Sequence, residues 1–419
     1  MKRARLLVNG RRPLAKKLAL RLRGMAVNRG YDMDVVHTEL ESGRPNTEEL
    51  GRRAALDGVE LLLAAGGDGT VSDAAAGLER ARFERAAAAI AEAPVRSLAE
   101  LERVEDLDRR LELLRRFLDA EARLPEPPGS PALGILPLGS ANVLAANLGL
   151  SRNIEKAFWE LLTPGRHRLE RLKTGIALSN ARDPVSGAFL VRFFLIAAGA
   201  GGAVEELMAD FNRPQNRGRG LWGYLASAWR VLARHEPREV EVLLSPARGG
   251  APIAIGPRPV DFVLFNLRPR LICGKVFMPR AANPHLHAVF AWARGRASRT
   301  HDLLRLLQRL GLGRVVRRDG LTDYHEVERA EIRFAGAGVP FQYDGEIQSL
   351  AADAGPLRIV FLPLPGRLPT IRSVESRSFL RYLLTMANPF REEFHPATRS
   401  RPTLRKIVLP FFRKRSGGE

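Results

Sequence analysis

The segment ELLLAAGGDGTVSDAAAGL, from Glu60 to Leu78, contains the pattern that decides the fold of this chain. An apolar run leads into a glycine-rich turn and then into an alanine-rich stretch, an order typical of a buried strand, a tight turn and a helix start. Glycine permits positive φ angles and leaves no Cβ to obstruct a ligand, and the amides of a helix N-terminus attract phosphate. The turn is therefore a candidate phosphate-binding site, made of Gly66, Gly67, Asp68, Gly69 and Thr70.

Asp68 is the unusual residue in this turn. A carboxylate beside a bound phosphate repels it unless a cation bridges the two groups, or unless the carboxylate accepts a proton from an attacking hydroxyl. Thr70 can cap the helix or bind a phosphate oxygen. The word GGDGT matches neither the Walker pattern, which continues into Lys-Ser/Thr, nor the G-x-G-x-x-G pattern of Rossmann domains.

Two earlier apolar runs end in polar residues at the same predicted edge of a sheet. Residues 5–8 form a buried strand that ends at Asn9. A basic helix over 13–23 leads to a second strand, 31–37, which ends at Thr38. This alternation is typical of a doubly wound α/β domain, which binds ligands at the carboxyl ends of its strands. We therefore expect Asn9 and Thr38 to lie on the same rim as the glycine turn.

The stretch LGILPLGSANVLAANLGL, Leu133 to Leu150, repeats the order of strand, turn and helix. Gly139 lies in its turn, and Ser140 and Asn142 are residues that favour helix caps. The words GGDGT and PLGSAN together resemble motifs of the diacylglycerol kinase and sphingosine kinase superfamily, whereas NAD kinases share only the first word. The resemblance implies that both turns and the polar strand ends hold a nucleotide.

The chain departs from the family pattern at several positions. Ser140, Ala141 and Val143 stand where the second family motif has Thr, Gly and Asp, and NGRRP, starting at Asn9, replaces Asn-Pro-x-Ser-Gly. In bacterial members an Asp-Gly pair helps to hold a structural Mg²⁺, and here Asn283 stands in the place of that Asp. Because a hard cation prefers carboxylate to a neutral amide oxygen, this metal site is weakened in the chain.

The stretch from about residue 79 to residue 130 is longer than the core of such a domain needs. Apolar residues recur there at spacings of three and four, which predicts one long helix that ends before PEPPGSP. With a helix over Phe83–Ala91 it forms an inserted helical hairpin, which either packs on the body of the protein or mediates a homodimer. The apolar stripe consists of Leu98, Leu101, Val104, Leu107, Leu111, Leu114 and Leu118.

Beyond about residue 165 the pattern changes to short alternating runs between glycine and proline turns, which is typical of antiparallel strands, with one helix over Leu221–Ala233. The resemblance implies a β-sandwich against which the lipid lies, with the nucleotide in the cleft between domains. We expect an α/β domain over 1–165, the β-sandwich over 166–365 and a basic tail over 366–419. The predicted strands are Leu172–Leu178, Phe189–Ile196, Val240–Leu244, Val260–Phe265, His287–Trp292, Ala330–Phe334 and Leu357–Phe361.

The word FQYDGE, residues 341–346, resembles a Val-Asp-Gly-Glu motif of the same family. Phosphoryl transfer needs a carboxylate within hydrogen-bond reach of the acceptor hydroxyl, and Mg²⁺ to neutralise the phosphates. The resemblance therefore implies ATP and Mg²⁺ as cofactors. We expect Glu346 or Asp344 to act as the base, and Asp68 to lie on the side of the nucleotide and its Mg²⁺.

The composition fits a globular protein of two domains with anionic partners. The chain has 419 residues, 45% of them hydrophobic and 27% charged, and a net charge of +20, which favours nucleotides and anionic lipid surfaces. Its basic residues are dispersed and no base-stacking motif occurs, so nucleic acid is not an expected partner. One cysteine, Cys273, and the lack of a signal peptide or a bilayer-length apolar stretch predict a cytoplasmic protein, and the basic tail predicts a peripheral contact with an anionic membrane surface.

Together these features predict an ATP-dependent lipid kinase that phosphorylates a hydroxyl of diacylglycerol or a related lipid. One alternative keeps the superfamily and changes the acceptor to a sphingoid base or another lipid or polyol. A second alternative is a catalytically weakened nucleotide- or lipid-binding protein. The departures from the family motifs favour this second alternative, whereas the intact Asp68, Asp344 and Glu346 argue against it.

Overall fold

The computed structural model describes residues 1–9, 13–41, 44–124, 130–139, 142–183, 186–213, 216, 220–268, 270–271, 274–275, 285–293, 322–336 and 338–374. Its first half alternates strands and helices as expected from the apolar runs. The elements of this half are β1 (Lys2–Asn9), α1 (Pro13–Val27), β2 (Tyr31–Thr38), β3 (Leu40–Glu41), β4 (Arg44–Pro45), α2 (Thr47–Leu56), β5 (Leu61–Gly66), α3 (Asp68–Ala89), α4 (Leu98–Leu101), α5 (Leu107–Glu121), β6 (Ala132–Pro137), α6 (Val143–Asn147) and α7 (Ile154–Leu162).

The long strands of this half form a parallel sheet in the order β6, β5, β1 and β2. Helices cover it on both sides, with α1 packed on α7 and α2 packed on α3. Both faces of the central strands are therefore buried, which is why β5 is apolar throughout. The doubly wound α/β organisation expected from the sequence is confirmed.

The helical insertion packs on the body of the protein, but not as one long helix. Ser97 caps the short α4 and Asp106 caps α5, so the chain turns between residues 102 and 106. The Oγ of Ser97 accepts a hydrogen bond from the Glu100 N–H, and each new cap begins a helix in a new direction. The apolar stripe is buried against strands of the second half, and Phe83 of α3 stacks on Phe117 at 3.7 Å between ring centroids.

The second half is rich in antiparallel strands, and its predicted helix is present as α9. Strands β10, β11, β14 and β15 pair in a closed ring, because each is hydrogen-bonded to two of the others. The elements are β7 (His167–Arg182), β8 (Phe189–Phe194), β9 (Ala197–Ala200), α8 (Ala203–Phe211), α9 (Gly220–Arg234), β10 (Arg238–Pro246), β11 (Ile253–Asn266), β12 (Arg270–Leu271), β13 (Gly274–Lys275), β14 (Leu286–Trp292), β15 (Thr322–Phe334), β16 (Val339–Tyr343), β17 (Glu346–Leu350) and β18 (Leu357–Ser373).

The last strand joins the two halves into one sheet. β18 pairs with β7 along most of its length, and Thr370 of β18 also pairs with Leu133 of β6. Residues 366–373, which the sequence places in the basic tail, continue this strand. A register shift between Leu364 and Leu368 accommodates Pro365 and Gly366. The rest of the tail, 375–419, lies outside the described residues.

Within the ranges that the structure describes, no helix combines the length and the apolar character needed to cross a bilayer.

Candidate active site

The glycine turn joins the end of β5 to the start of α3, at the carboxyl edge of the parallel sheet. The sequence suggested that these glycines adopt positive φ angles, but none of the three lies in the left-handed region. They are required because neighbouring atoms approach them too closely for a Cβ. A Cβ on Gly66 would collide with the Thr70 side chain, and a Cβ on Gly69 would collide with the Glu346 carboxylate. The turn is thus packed against itself and against the second half of the molecule.

The second turn is closed by Asn142, which adopts φ +50° and precedes α6. Its Nδ2 donates to the Gly139 carbonyl at 2.6 Å, and its Oδ1 accepts from the Gly139 N–H at 2.9 Å. Gly139 in turn leaves no room for a side chain, because its Cα faces the Cα of Gly67. The two glycine-containing turns therefore lie directly against each other. Ser140 lies outside the described residues.

Asp68 connects the two turns through its side chain. Its carboxylate accepts hydrogen bonds from the backbone N–H groups of Val143 (3.0 Å) and Leu144 (3.1 Å), at the start of α6. Burial raises the pKa of Asp68 to about 6; the nearby Asp344 also raises it, and the α6 amides oppose the change. A carboxylate with a pKa in this range is ionised at neutral pH and can accept a proton.

Asp344 lies in the turn between β16 and β17, again with φ +50°, and is buried. Its carboxylate accepts from the Ser72 hydroxyl at 2.6 Å and from the N–H groups of Leu195 (2.6 Å), Ile196 (2.6 Å) and Ala197 (3.0 Å). Burial raises the pKa of Asp344, and these donors oppose the rise. Because Ser72 belongs to α3 and the amides to the second half, Asp344 holds the two halves together.

Glu346 is the exposed acid of the group, and it lies against the Cα of Gly69. In the part of the chain that the structure describes, its carboxylate takes part in no hydrogen bond or ion pair. The structure therefore brings together the acids that the sequence singled out, since Glu346 contacts the glycine turn and Asp344 lies close enough to Asp68 to raise its pKa.

Asn9 and Thr38 lie on the same rim but further along it. They are register partners on β1 and β2, and β1 lies directly beside β5. Thr38 is buried, on the strand furthest from the glycine turn in this sheet. The common edge expected from the sequence is present, with Asn9 nearer to the acids than Thr38.

Ser72 is a residue of the site that the sequence reasoning missed. It follows Asp68 by one helical turn, so the two side chains lie on the same face of α3. This spacing was readable in the segment from Glu60 to Leu78, but its partner Asp344 lies 272 residues away. No local pattern could have supplied that partner.

The donor set fits a metal that arrives with a phosphate ligand. Within the described ranges, no group of three His, Cys, Asp or Glu residues is placed to hold a metal ion. Mg²⁺ in phosphate-binding sites needs only one or two carboxylates, because phosphates and waters complete its shell. Glu346, whose exposed carboxylate lies beside the glycine turn, is the residue that would hold it. Asn283, the weakened structural metal position, lies outside the described residues.

Two glycine-containing turns and three carboxylates meet where the α/β half contacts the β-rich half, an arrangement that fits a phosphotransferase of the kinase type. Residues 3–173 match the family model of the diacylglycerol kinase catalytic domain. This first part of the chain is therefore similar to the catalytic domain of diacylglycerol kinases.

Solved structures from Bacillus anthracis str. Sterne share the fold. One, provisionally named a diacylglycerol kinase, has a TM-score of 0.57 at 17% identity and covers 89% of this chain and 96% of that one. Another, described as a diacylglycerol kinase, has a TM-score of 0.52 at 14% identity and covers 89% of this chain and 97% of that one. No curated protein sequence matches the chain. At these identities the likeness establishes the fold alone.

Proposed function

We propose that the protein is an ATP-dependent lipid kinase, which transfers the γ-phosphoryl group to a hydroxyl of diacylglycerol or a related lipid. One observation carries this proposal: Glu346 lies against the glycine turn that contains Asp68, and this turn forms a helix N-terminus suited to phosphate. A sphingoid base or another lipid alcohol remains the alternative acceptor. Asp68, Asp344 and Glu346 come together at this turn, and this arrangement argues against a protein that only binds nucleotide or lipid.

We assign the general base to Asp68, which reverses the division of roles expected from the sequence. Asp344 is unsuited to that role, because its oxygens already accept four hydrogen bonds in a buried position. The pKa of Asp68, about 6, is close to the value that serves a base at neutral pH. Glu346, with an uncommitted carboxylate, is assigned to the metal and the phosphates.

The reaction then proceeds by direct displacement. Asp68 takes the proton of the acceptor hydroxyl while the hydroxyl oxygen forms a bond to the γ-phosphorus of ATP. The bond between the γ-phosphorus and the β,γ-bridging oxygen breaks, and ADP leaves with that electron pair. Mg²⁺, when bound, neutralises the charge on the phosphates. Asp344 takes no part in bond making; it holds the Leu195–Ala197 segment against α3 and so fixes the cleft.

The test is phosphate transfer from labelled ATP and Mg²⁺ into a total lipid extract, with chromatography to identify the labelled lipid. We expect Asp68→Asn to lose about 100-fold or more in kcat, in the range for a positioned base, while ADP still binds. Asp32→Asn, which removes an exposed carboxylate at the opposite end of β2, is the matched control.

The pH dependence supplies a second readout. Because the proposed base is active only when ionised, kcat of the wild type should fall as the pH drops through about 6. Full activity of Asp68→Asn, or a rate that stays constant down to pH 5, would show that Asp68 is not the base. ADP binding without any labelled lipid would refute the lipid kinase.

A further inference from the structure

The three acids of the site leave one requirement of phosphoryl transfer unmet. Carboxylates repel the phosphates of a nucleotide, and the GGDGT turn carries no lysine to oppose them. Kinases meet this need with cationic and hydrogen-bonding side chains that face the transferred group. Two candidate groups lie at and just beyond the end of β11 in the second half, beside the segment that binds Asp344.

The end of β11 places polar side chains on the cleft side of the β-rich half. Along this strand Phe262 and Leu264 pack with the core of the α/β half, whereas Val263 and Phe265 pack in the core of the β-rich half. Since side chains alternate along a strand, Asn266 falls on the face that looks toward the α/β half. Its register partner on β9 is Ala197, one of the residues whose N–H groups hold Asp344.

Asn266 is fully buried, and among the described residues neither atom of its side-chain amide has a hydrogen-bond partner. Burying an amide without partners destabilises the fold, and native proteins rarely tolerate it without a reason. An amide of this kind has a donor and an acceptor ready for a ligand. It lies in the strand next to the segment that Asp344 fixes.

Arg268 follows two residues later and is only 8% exposed. Its Nη2 donates to the Lys173 carbonyl at 2.7 Å, and its Nε has no acceptor within the ranges that the structure describes. The preceding residue, Leu267, donates its N–H to the Ile196 carbonyl, and the following strand, β12, packs on α6, whose amides hold Asp68. Arg268 therefore lies in the chain between a residue bonded to the segment that holds Asp344 and a strand that contacts the helix that holds Asp68. Among the described residues no carboxylate forms an ion pair with it.

We propose that Asn266 and Arg268 bind the phosphate group that is being transferred, from the β-domain wall of the cleft. This inference rests on the proposed function, because it names the groups that oppose the acids of that site. A buried guanidinium without a carboxylate partner is stabilised when an anion supplies the missing acceptor. Phosphate also offers oxygens to the donor of the Asn266 amide.

The test compares Asn266→Leu and Arg268→Gln with Arg258→Gln, an exposed position on the same strand. Binding of ADP with Mg²⁺, of inorganic tripolyphosphate and of adenosine is measured by calorimetry. We expect both cleft variants to lose at least about tenfold in affinity for ADP and tripolyphosphate, in the range for a charge-assisted hydrogen bond, and to bind adenosine unchanged. Arg258→Gln should bind all three ligands as the wild type does.

Thermal unfolding separates a ligand-binding role from a structural one. Because leucine has the same branched skeleton as asparagine and no polar atoms, Asn266→Leu should raise the Tm while it weakens phosphate binding. A lowered Tm with unchanged tripolyphosphate affinity would overturn the inference, and so would a wild type that binds no tripolyphosphate. If tripolyphosphate binding depends on Arg268 although no lipid is phosphorylated, the inference holds and the proposed lipid kinase activity falls.

Discussion

The Asp344 cluster permits a substitution that alters hydrogen bonding without altering shape. Asp344→Asn keeps the size of the side chain, and asparagine tolerates the φ of +50° at this position. The new NH₂ group must face either the Ile196 and Ala197 amides or the Leu195 amide and the Ser72 hydroxyl. The second orientation is cheaper, because a hydroxyl can turn and accept.

In that orientation one buried N–H group, that of Leu195, loses its acceptor. A buried group left unpaired destabilises a protein by about 1–3 kcal/mol, and the bonds that remain weaken because their acceptor is no longer charged. The lower desolvation of a neutral amide offsets part of this loss. We therefore expect the free energy of unfolding to fall by about 2–4 kcal/mol in Asp344→Asn.

Urea unfolding followed by circular dichroism measures this change, with Ser72→Ala as the matched comparison. Ser72→Ala removes one donor and leaves the three amide bonds to Asp344 in place, so its effect should be smaller, about 1–2 kcal/mol. A loss below about 0.5 kcal/mol in Asp344→Asn would refute the reasoning, since it is what a surface substitution produces. A larger loss in Ser72→Ala than in Asp344→Asn would refute it as well.

Two further predictions concern the glycine turn and a buried acid. Gly69→Ala should push the Glu346 carboxylate aside and weaken ADP binding about tenfold in the presence of Mg²⁺, in line with the cost of an overpacked contact; an equal loss without Mg²⁺, by calorimetry, would contradict the metal-side role of Glu346. Burial raises the pKa of Glu205 to about 8, so between its ordinary value of 4.5 and 8 the folded state binds more protons than the unfolded state. The free energy of unfolding should therefore fall as the pH rises across that range, by up to a few kcal/mol, and Glu205→Gln should remove this pH dependence. If urea unfolding gave the same change in this free energy between pH 6 and 8.5 for the wild type and for Glu205→Gln, the result would argue against the prediction.

The parallel half of the fold was predictable because its strands are buried on both faces. Such strands are continuous apolar runs, and the runs ending at Asn9, Thr38 and Gly66 lie where the sequence indicated. The break between α4 and α5 was readable too, since Ser97 and Glu100 have the spacing of a capping box. The regular apolar stripe outweighed that local signal, although a stripe of this kind can continue across two helices that share one hydrophobic surface.

The roles of the acids depend on contacts that no local pattern contains. Asp68 bonds to amides 75 and 76 residues away, and Asp344 bonds to amides about 148 residues away. Asp344 stood in a catalytic motif, so the sequence favoured it as a base, yet in the structure it is an acceptor for four donors. A motif identifies which residues matter, whereas the number of donors around each carboxylate decides what it can do.

The strand β18 shows why the division into domains was less predictable than the elements themselves. The segment PLPGRLP, residues 363–369, has the composition of a linker, and its strand character comes from pairing with β7 and β6. Because β18 carries one sheet through both halves and Asp344 binds Ser72 across them, the walls of the cleft are joined both by backbone pairing and by a buried carboxylate. Removing the Asp344 charge should therefore loosen the site while the shared sheet keeps the two halves together, which predicts lost activity before lost secondary structure.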